Sequence, residues 1–366
     1  MLKSTVCCKI KKVNMRNQGK FLLTTVLIAA LFTSCTKTDD SSTSLKQAIS
    51  ENSVRLNTAI ATIKSLPAYG ILTMSSSDAM AKSATDESTY RVYITLDTVK
   101  GIYNYNKPTA LNNWGMSLLH YFTKTAESSQ MIVRLPLQKV TKPFALRHYT
   151  AADTALTNNF EIAVSDYHNN YNSYWDYDYI LKSKISIDGK TAGNLNIDAN
   201  ISPADGKDYL AKYAFTDGYS TEYHYVSGDT TSSEFSIKQN SDVLYSEKLL
   251  VIKNDTSHFR EHQYILTIGN VQIVRKPKDH DIQVLVNGVV QAGAKVDIVD
   301  NESDPEASVC KKREVQITFE DGTVKTIAEL IGESVNDIKT LYSSLHQVYF
   351  AAYIVDWIAY DIYYQR

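Results

Sequence analysis

Cysteine, glycine and proline are all scarce in this chain, at 4, 14 and 7 of 366 residues. Cys7, Cys8 and Cys35 lie near the N-terminus, which leaves Cys310 alone in the body. A disulfide framework is therefore excluded, and stability must come from a hydrophobic core. Few glycines and prolines mean few breaks, so long strands are expected rather than many short ones. An excess of one charge is also missing. The formal net charge is −2, so no basic field points to nucleic acid, and no nucleic-acid partner is expected. No Gly-rich phosphate loop, G-x-S-x-G elbow or Ser/His/Asp spelling occurs. No repeat of fixed period is visible. The conspicuous excess is tyrosine, at 25 residues. Tyrosine favours strands and carries a polar tip on an apolar ring.

The N-terminus reads as an export signal. Lys3, Lys9, Lys11, Lys12, Arg16 and Lys20 precede the apolar run Phe21 to Phe32, and Thr33-Ser34-Cys35 closes it. A basic segment, a short apolar one and small residues at the cut are its parts. The run is too short to span a bilayer as a helix. Met15 could serve as the start, because Met15 to Lys20 already forms a compact basic segment. Leu31-Phe32-Thr33-Ser34-Cys35 resembles the lipobox of bacterial lipoproteins. That resemblance implies removal of residues 1–34, acylation of Cys35 and anchoring by several acyl chains. Residues 35–44 are then a flexible tether, and Thr36 to Ser42 resembles the acidic export tag of Bacteroidetes surface lipoproteins. About 330 residues remain, read as one β-rich body over 45–366.

The body opens with a helix over 45–66, in which Leu45, Ile49, Leu56, Ile60 and Ile63 share a face, Ser44 caps and Pro67 stops the chain. From Tyr90 to about Phe319 the period becomes two. Tyr171 to Ile187 reads as one strand with Trp175, Tyr177, Tyr179, Leu181, Ile185 and Ile187 inward and Asp176, Asp178, Lys182 and Lys184 outward. In the next strand Leu195, Ile197, Ala199 and Ile201 face in. Asp188-Gly189, Gly228-Asp229 and Asn287-Gly288 read as hairpin turns. Such alternation predicts an antiparallel sheet with one wet face. At the C-terminus, Ser334 to Asp337 resembles a capping signature. Leu341, Leu345, Val348, Ala352, Val355 and Ala359 then predict a helix over about 335–362. The fold class expected is α+β: a large curved antiparallel sheet, a meander of long hairpins, with the N- and C-terminal helices covering one face.

Candidate sites are few. His258-Phe259-Arg260-Glu261-His262 spells the H-x-x-E-H of inverted zinc peptidases. A turn precedes it and a strand follows, and on a strand the imidazoles would stand roughly 13 Å apart. Asp300 to Glu306 is an acidic loop without the EF-hand spelling. No metal site and no cofactor are expected. Tyr167 to Tyr179 mixes aromatic rings with Asn and Asp, as sugar-binding surfaces do. Tyr171, Tyr174 and Trp175 are its candidate ligand-binding residues, with Trp175 expected to be mostly buried and the Asn-rich segment before it to be a turn. No motif nominates the carboxylate pair of a glycosidase, and no catalytic residue is assigned.

Tyr90 to Leu96, Gly101 to Asn106, Trp114 and Met131 to Pro136 resemble the opening of Bacteroidetes lipoproteins without assigned function. The resemblance implies an envelope location and a β-rich body, and carries no catalytic residue. The leading expectation is a non-enzymatic, outer-membrane-anchored binding or structural lipoprotein, with the membrane, a glycan or another envelope protein as partner. Two rivals stand beside it: a carrier of an apolar ligand in a half-open sheet lidded by helices, and a glycan-processing enzyme.

Overall fold

The structure is a computed structural model that describes residues 44–72, 91–106, 118–140, 156–173, 175–253, 260–277, 281–301 and 312–364. Cys35, Tyr174, His258 and the acidic stretch 302–306 lie outside them. Helices α1 (Leu45–Ser65) and α2 (Pro67–Leu72) come first. Next are β1 (Val92–Thr95), α3 (Leu96–Val99), β2 (Gly101–Tyr105), β3 (Phe122–Ala126), β4 (Met131–Leu135) and α4 (Leu137–Val140). The long strands follow: β5 (Phe160–Ser173), β6 (Asp176–Ile187), β7 (Lys190–Ser202), β8 (Gly206–Phe215), β9 (Tyr219–Ser227), β10 (Thr230–Gln239) and β11 (Asp242–Lys253). Then come β12 (Arg260–Ile268), β13 (Val271–Arg275), β14 (Ile282–Val286) and β15 (Val289–Val290). The chain closes with β16 (Lys295–Asn301), β17 (Lys312–Thr318), β18 (Val324–Thr326), α5 (Ile327–Ile331) and α6 (Ser334–Tyr364).

The fold is α+β, as the alternation predicts. Among the described residues, β1 to β15 form one 15-stranded sheet, and β4 to β15 run through it almost entirely as neighbours in chain order. Its pairs are antiparallel except β2 with β4. Two features differ from the expectation of a single sheet. β16, β17 and β18 form a separate three-stranded sheet, and β5 begins at Phe160, well before Tyr171. The Asn-rich segment expected to turn is strand instead: Asn169 pairs with Tyr179 and Asn170 with Asp178. The alternation along β5 is hidden because the register shifts at Val164/Asp166 and again at Tyr171/Ser173. A bulge moves every later side chain to the other face.

The tight turns are where the dipeptides place them. Asp188-Gly189 and Asn287-Gly288 both hold positive φ at both positions, the conformation whose twist suits a two-residue hairpin. Outward residues form a ladder of opposite charges across the strands. Lys212 and Lys238 flank Glu222, Lys248 pairs with Glu234, and Lys182 with Asp166. Inward residues form cross-strand rows. One runs Leu181, Ile197, Ala211, Tyr223, Phe235 and on to Glu247. The next runs Asn169, Tyr179, Ala199, Tyr209, Tyr225 and Ser233.

Helices α1 and α6 pack on the inward face. Leu45, Ile49, Leu56, Ile60 and Ile63 of α1 are all buried, each worth about 1.5–3 kcal/mol over exposure. The Ser44 hydroxyl accepts the Gln47 amide, as the cap reading expects. The helix seats on the β12–β13 hairpin through Asn52, which donates to Asn270 at 2.6 Å. Gly269 there has φ +59 and no room for a Cβ beside Asn52. Leu341, Ala352, Val355 and Ala359 of α6 are buried as the spacing predicts. The capping signature is used differently. Thr326 and Glu329 form a capping box on the short α5, and Ser334 is already inside α6. Asp337 instead binds Lys64 of α1 at 3.0 Å, which ties the two helices together.

Candidate functional site

Helix α6 does not seal the sheet beneath it. Along its C-terminal half a groove of about 360 Å³ remains open between Ala352 and Asp356 of the helix and strands β6 to β9. Its floor is Ile197, Ala199 and Ile201 of β7, and its walls are Tyr177 and Tyr179 of β6, Tyr209 of β8 and Tyr225 of β9. These side chains meet because they occupy adjacent inward positions of neighbouring strands. The small Ala199 between Tyr179 and Tyr209 creates the depth.

Asp356 is the carboxylate of this groove. Tyr167 donates to its Oδ1 at 2.9 Å and Tyr179 donates to the same oxygen at 3.1 Å. Among the described residues none donates to Oδ2. Burial disfavours the ionised form and the two hydroxyls favour it; burial wins, and the carboxyl is pushed up to about 7. The same burial, with Asp356 close by, raises Tyr167, Tyr177 and Tyr179, and pushes Tyr360 up to about 12. The rings form a connected aromatic cluster. Tyr177 stacks on Tyr179 at 6.0 Å, and Tyr167 meets Tyr179 edge-on at 6.1 Å.

The three residues expected to bind ligand are not brought onto one surface. Tyr171 is half-buried and packs edge-on against Tyr177 at 5.9 Å, so it belongs to the inward cluster. Tyr174 lies outside the described residues. Trp175 is 61% exposed, which corrects the expectation that it is buried. The physical reason is that β5 ends at Ser173 and β6 starts at Asp176, so Trp175 occupies a turn. Two-residue alternation does not continue through a chain reversal. The ammonium of Lys207, which lines the groove, lies 5.1 Å from the centre of its ring. With the indole in water, truncating Trp175 has no core contacts to remove.

A second groove of about 480 Å³ lies beside the N-terminal half of α6, between Ile338 and Tyr342 of the helix and Tyr223, Phe235, Glu247 and Tyr264 of the sheet. Tyr245 donates to Glu247. Glu247 on β11 and Asp356 above β6 are separated by five strand spacings, about 24 Å along the sheet. A glycosidase pair stands at about 5–9.5 Å. Glu261 and His262 lie on β12, not on a helix, as the context of the H-x-x-E-H spelling implies. Among the described residues no three metal-ligating side chains are gathered, and no helix is long and apolar enough to cross a membrane.

Compared with known proteins, the chain matches no family model, no curated protein and no solved structure. The site therefore rests on its own geometry. Sequence reasoning missed Asp356, although a signal was present. It is a lone acid inside Ala351-Ala352-Tyr353-Ile354-Val355-Asp356-Trp357-Ile358-Ala359, one helical turn from Ala352 on the face that meets the sheet. An unpaired acid in an apolar helix needs hydroxyl or cationic partners, and Tyr167 and Tyr179 are those partners.

Proposed function

We propose that the protein is a lipid-anchored envelope lipoprotein that binds a partly apolar small molecule, without transforming it, in the groove beneath α6. The observation that carries this reading is the open, tyrosine-walled groove between helix and sheet. It is of the size and composition used for small ligands: mostly apolar walls with a few convergent polar groups. A second groove opens on the same face beside the N-terminal half of α6, but the one beneath the C-terminal half has the more apolar lining. The reading combines the binding role and the carrier role raised by the sequence. The separation of Glu247 and Asp356 along the sheet weighs against their acting together in glycan hydrolysis.

Ala199→Phe tests the groove, because the ring projects into open space between Tyr179 and Tyr209. Binding of octanol, followed by calorimetric titration, is expected to weaken about tenfold or more, with a melting temperature close to wild type. Wild-type protein that shows no heat with octanol, or a variant that binds it unchanged, overturns the reading. The anchor is tested separately. Cys35→Ala removes the acylation site, so the protein should leave the membrane fraction. A Cys35→Ala form that still sediments with washed membranes removes the lipoprotein part of the proposal.

A further inference from the structure

The binding reading leaves open what the groove selects, and its polar groups answer that. We infer that the groove takes an amphiphilic amine: a ligand whose protonated or quaternary ammonium lies against Asp356 Oδ2 while its apolar body covers Ile197, Ala199 and Ile201. The inference rests on the binding proposal and narrows it to one chemical class.

Three observations carry it. First, Asp356 is half-satisfied in a directional way. Both hydroxyl donors converge on Oδ1, while Oδ2 has no donor among the described residues and its carboxyl lines the groove. Oδ2 is not among the buried atoms left without a partner, so it is open to the groove and to whatever enters it. Second, the groove that the carboxyl lines is walled by aromatic rings, those of Tyr177, Tyr179, Tyr209 and Tyr225. Aromatic rings around a single acid are the environment that favours an organic cation, through ring quadrupole and charge together. Third, a neutral or anionic head gains less. An anion would meet the carboxylate, and an alcohol would replace water at Oδ2 with little gain.

The charged and titratable groups around Asp356 come from every element packed on it. β5 supplies Tyr167 and β6 supplies Tyr177 and Tyr179. β8 supplies Lys207 and Tyr209, β9 supplies Tyr225, and α6 itself supplies Tyr360. Lys207 is the one cation among them. It sits at the inward position of β8 opposite Ile201, with its ammonium over the exposed Trp175 ring. Burial raises Tyr167, Tyr177, Tyr179 and Tyr360, so these stay neutral near pH 7 and Asp356 is the group that answers to the ligand. Burial pushes its carboxyl up to about 7. An entering ammonium favours the carboxylate, so binding near pH 6.5 releases a proton.

The experiment uses the full-length protein and three probes with the same chain: octyltrimethylammonium, octanol and octanoate. Titration calorimetry at pH 8 is expected to give the ammonium about tenfold tighter binding than octanol, with octanoate weakest. Asp356→Asn should erase the preference for the ammonium over octanol. At pH 6.5, repeating the ammonium titration in two buffers of different ionisation enthalpy should reveal release of a fraction of a proton in wild type and none in Asp356→Asn. Equal affinity for the ammonium and octanol overturns the amine inference and leaves the groove reading standing. Absence of binding by all three probes overturns the groove reading itself. A preference for the ammonium that survives Asp356→Asn also overturns the inference, since the charge would then be recognised elsewhere.

Discussion

Ile197→Asp is expected to cost about 4 kcal/mol or more of unfolding free energy, while its neighbour Asn196→Asp costs nothing measurable. Ile197 is 3% exposed and stands in the inward row between Leu181 and Ala211. A carboxylate there loses the packing of the aliphatic chain and is buried without a partner. Asn196 points the other way and lies in register between Lys182 and Lys212. An acid at that place joins the outer ladder of charges and gains at most a few tenths of a kcal/mol, because the pairing is exposed. Urea melts of the two variants read the contrast directly. Equal midpoints would mean that the sheet does not have one dry and one wet face.

The second large effect concerns Asp356. Its carboxyl titrates at about 7 in the folded protein against 3.8 when exposed. The folded state therefore holds the proton more tightly. The stability this contributes is fully present below pH 3.8 and is lost as pH rises towards 7, at about 1.4 kcal/mol per unit. Asp356→Asn keeps the shape and an acceptor for Tyr167 and Tyr179 but cannot ionise. The variant should match wild type near pH 4 and exceed it by roughly 2–4 kcal/mol at pH 8. Denaturant melts across that range give the difference curve. Two parallel pH profiles would show that the carboxyl does not titrate in this window. A protein that retains a destabilising acid in its helix–sheet seam gives up stability for something else, and ligand recognition in the groove is the role proposed for it.

Much of the scaffold was legible because the period of the hydrophobic pattern is a local property. The α1 stripe, the α6 stripe and the β7 alternation each depend on a few adjacent residues; the structure buries the α1 set, Leu341, Ala352, Val355 and Ala359 of α6, and Leu195, Ile197 and Ala199 of β7. The hairpin turns were legible for a related reason, since Asp-Gly and Asn-Gly carry their backbone preference with them. What escaped was non-local. The two bulges in β5 break its alternation and disguised the Asn-rich end of a 14-residue strand as a turn. The reversal at Trp175 interrupts a run that looks continuous when only its rings are counted. The parallel pairing of β2 with β4 and the splitting off of β16 to β18 depend on which edges meet, which no local pattern records. Asp356 was missed because its meaning lies in Tyr167 and Tyr179, some 180 residues earlier in the chain.

The seating of α1 on the β12–β13 hairpin also sets an order of events during synthesis. The sheet is a chain of neighbours, so each hairpin can close as soon as it is made, and such short-range contacts form quickly. Helix α1 is different: Asn52 waits for Asn270, which follows it by 218 residues. At about 5–20 residues per second, that gap lasts about 10–40 s. For that interval Ile49, Leu56, Ile60 and Ile63 have no strands to cover them, and the first helix made is among the last to dock. The vulnerable species on the folding route is thus a one-sided meander beside an unsheltered amphipathic helix, and its lifetime is set by how soon the later strands become free to fold rather than by the stability of the finished protein.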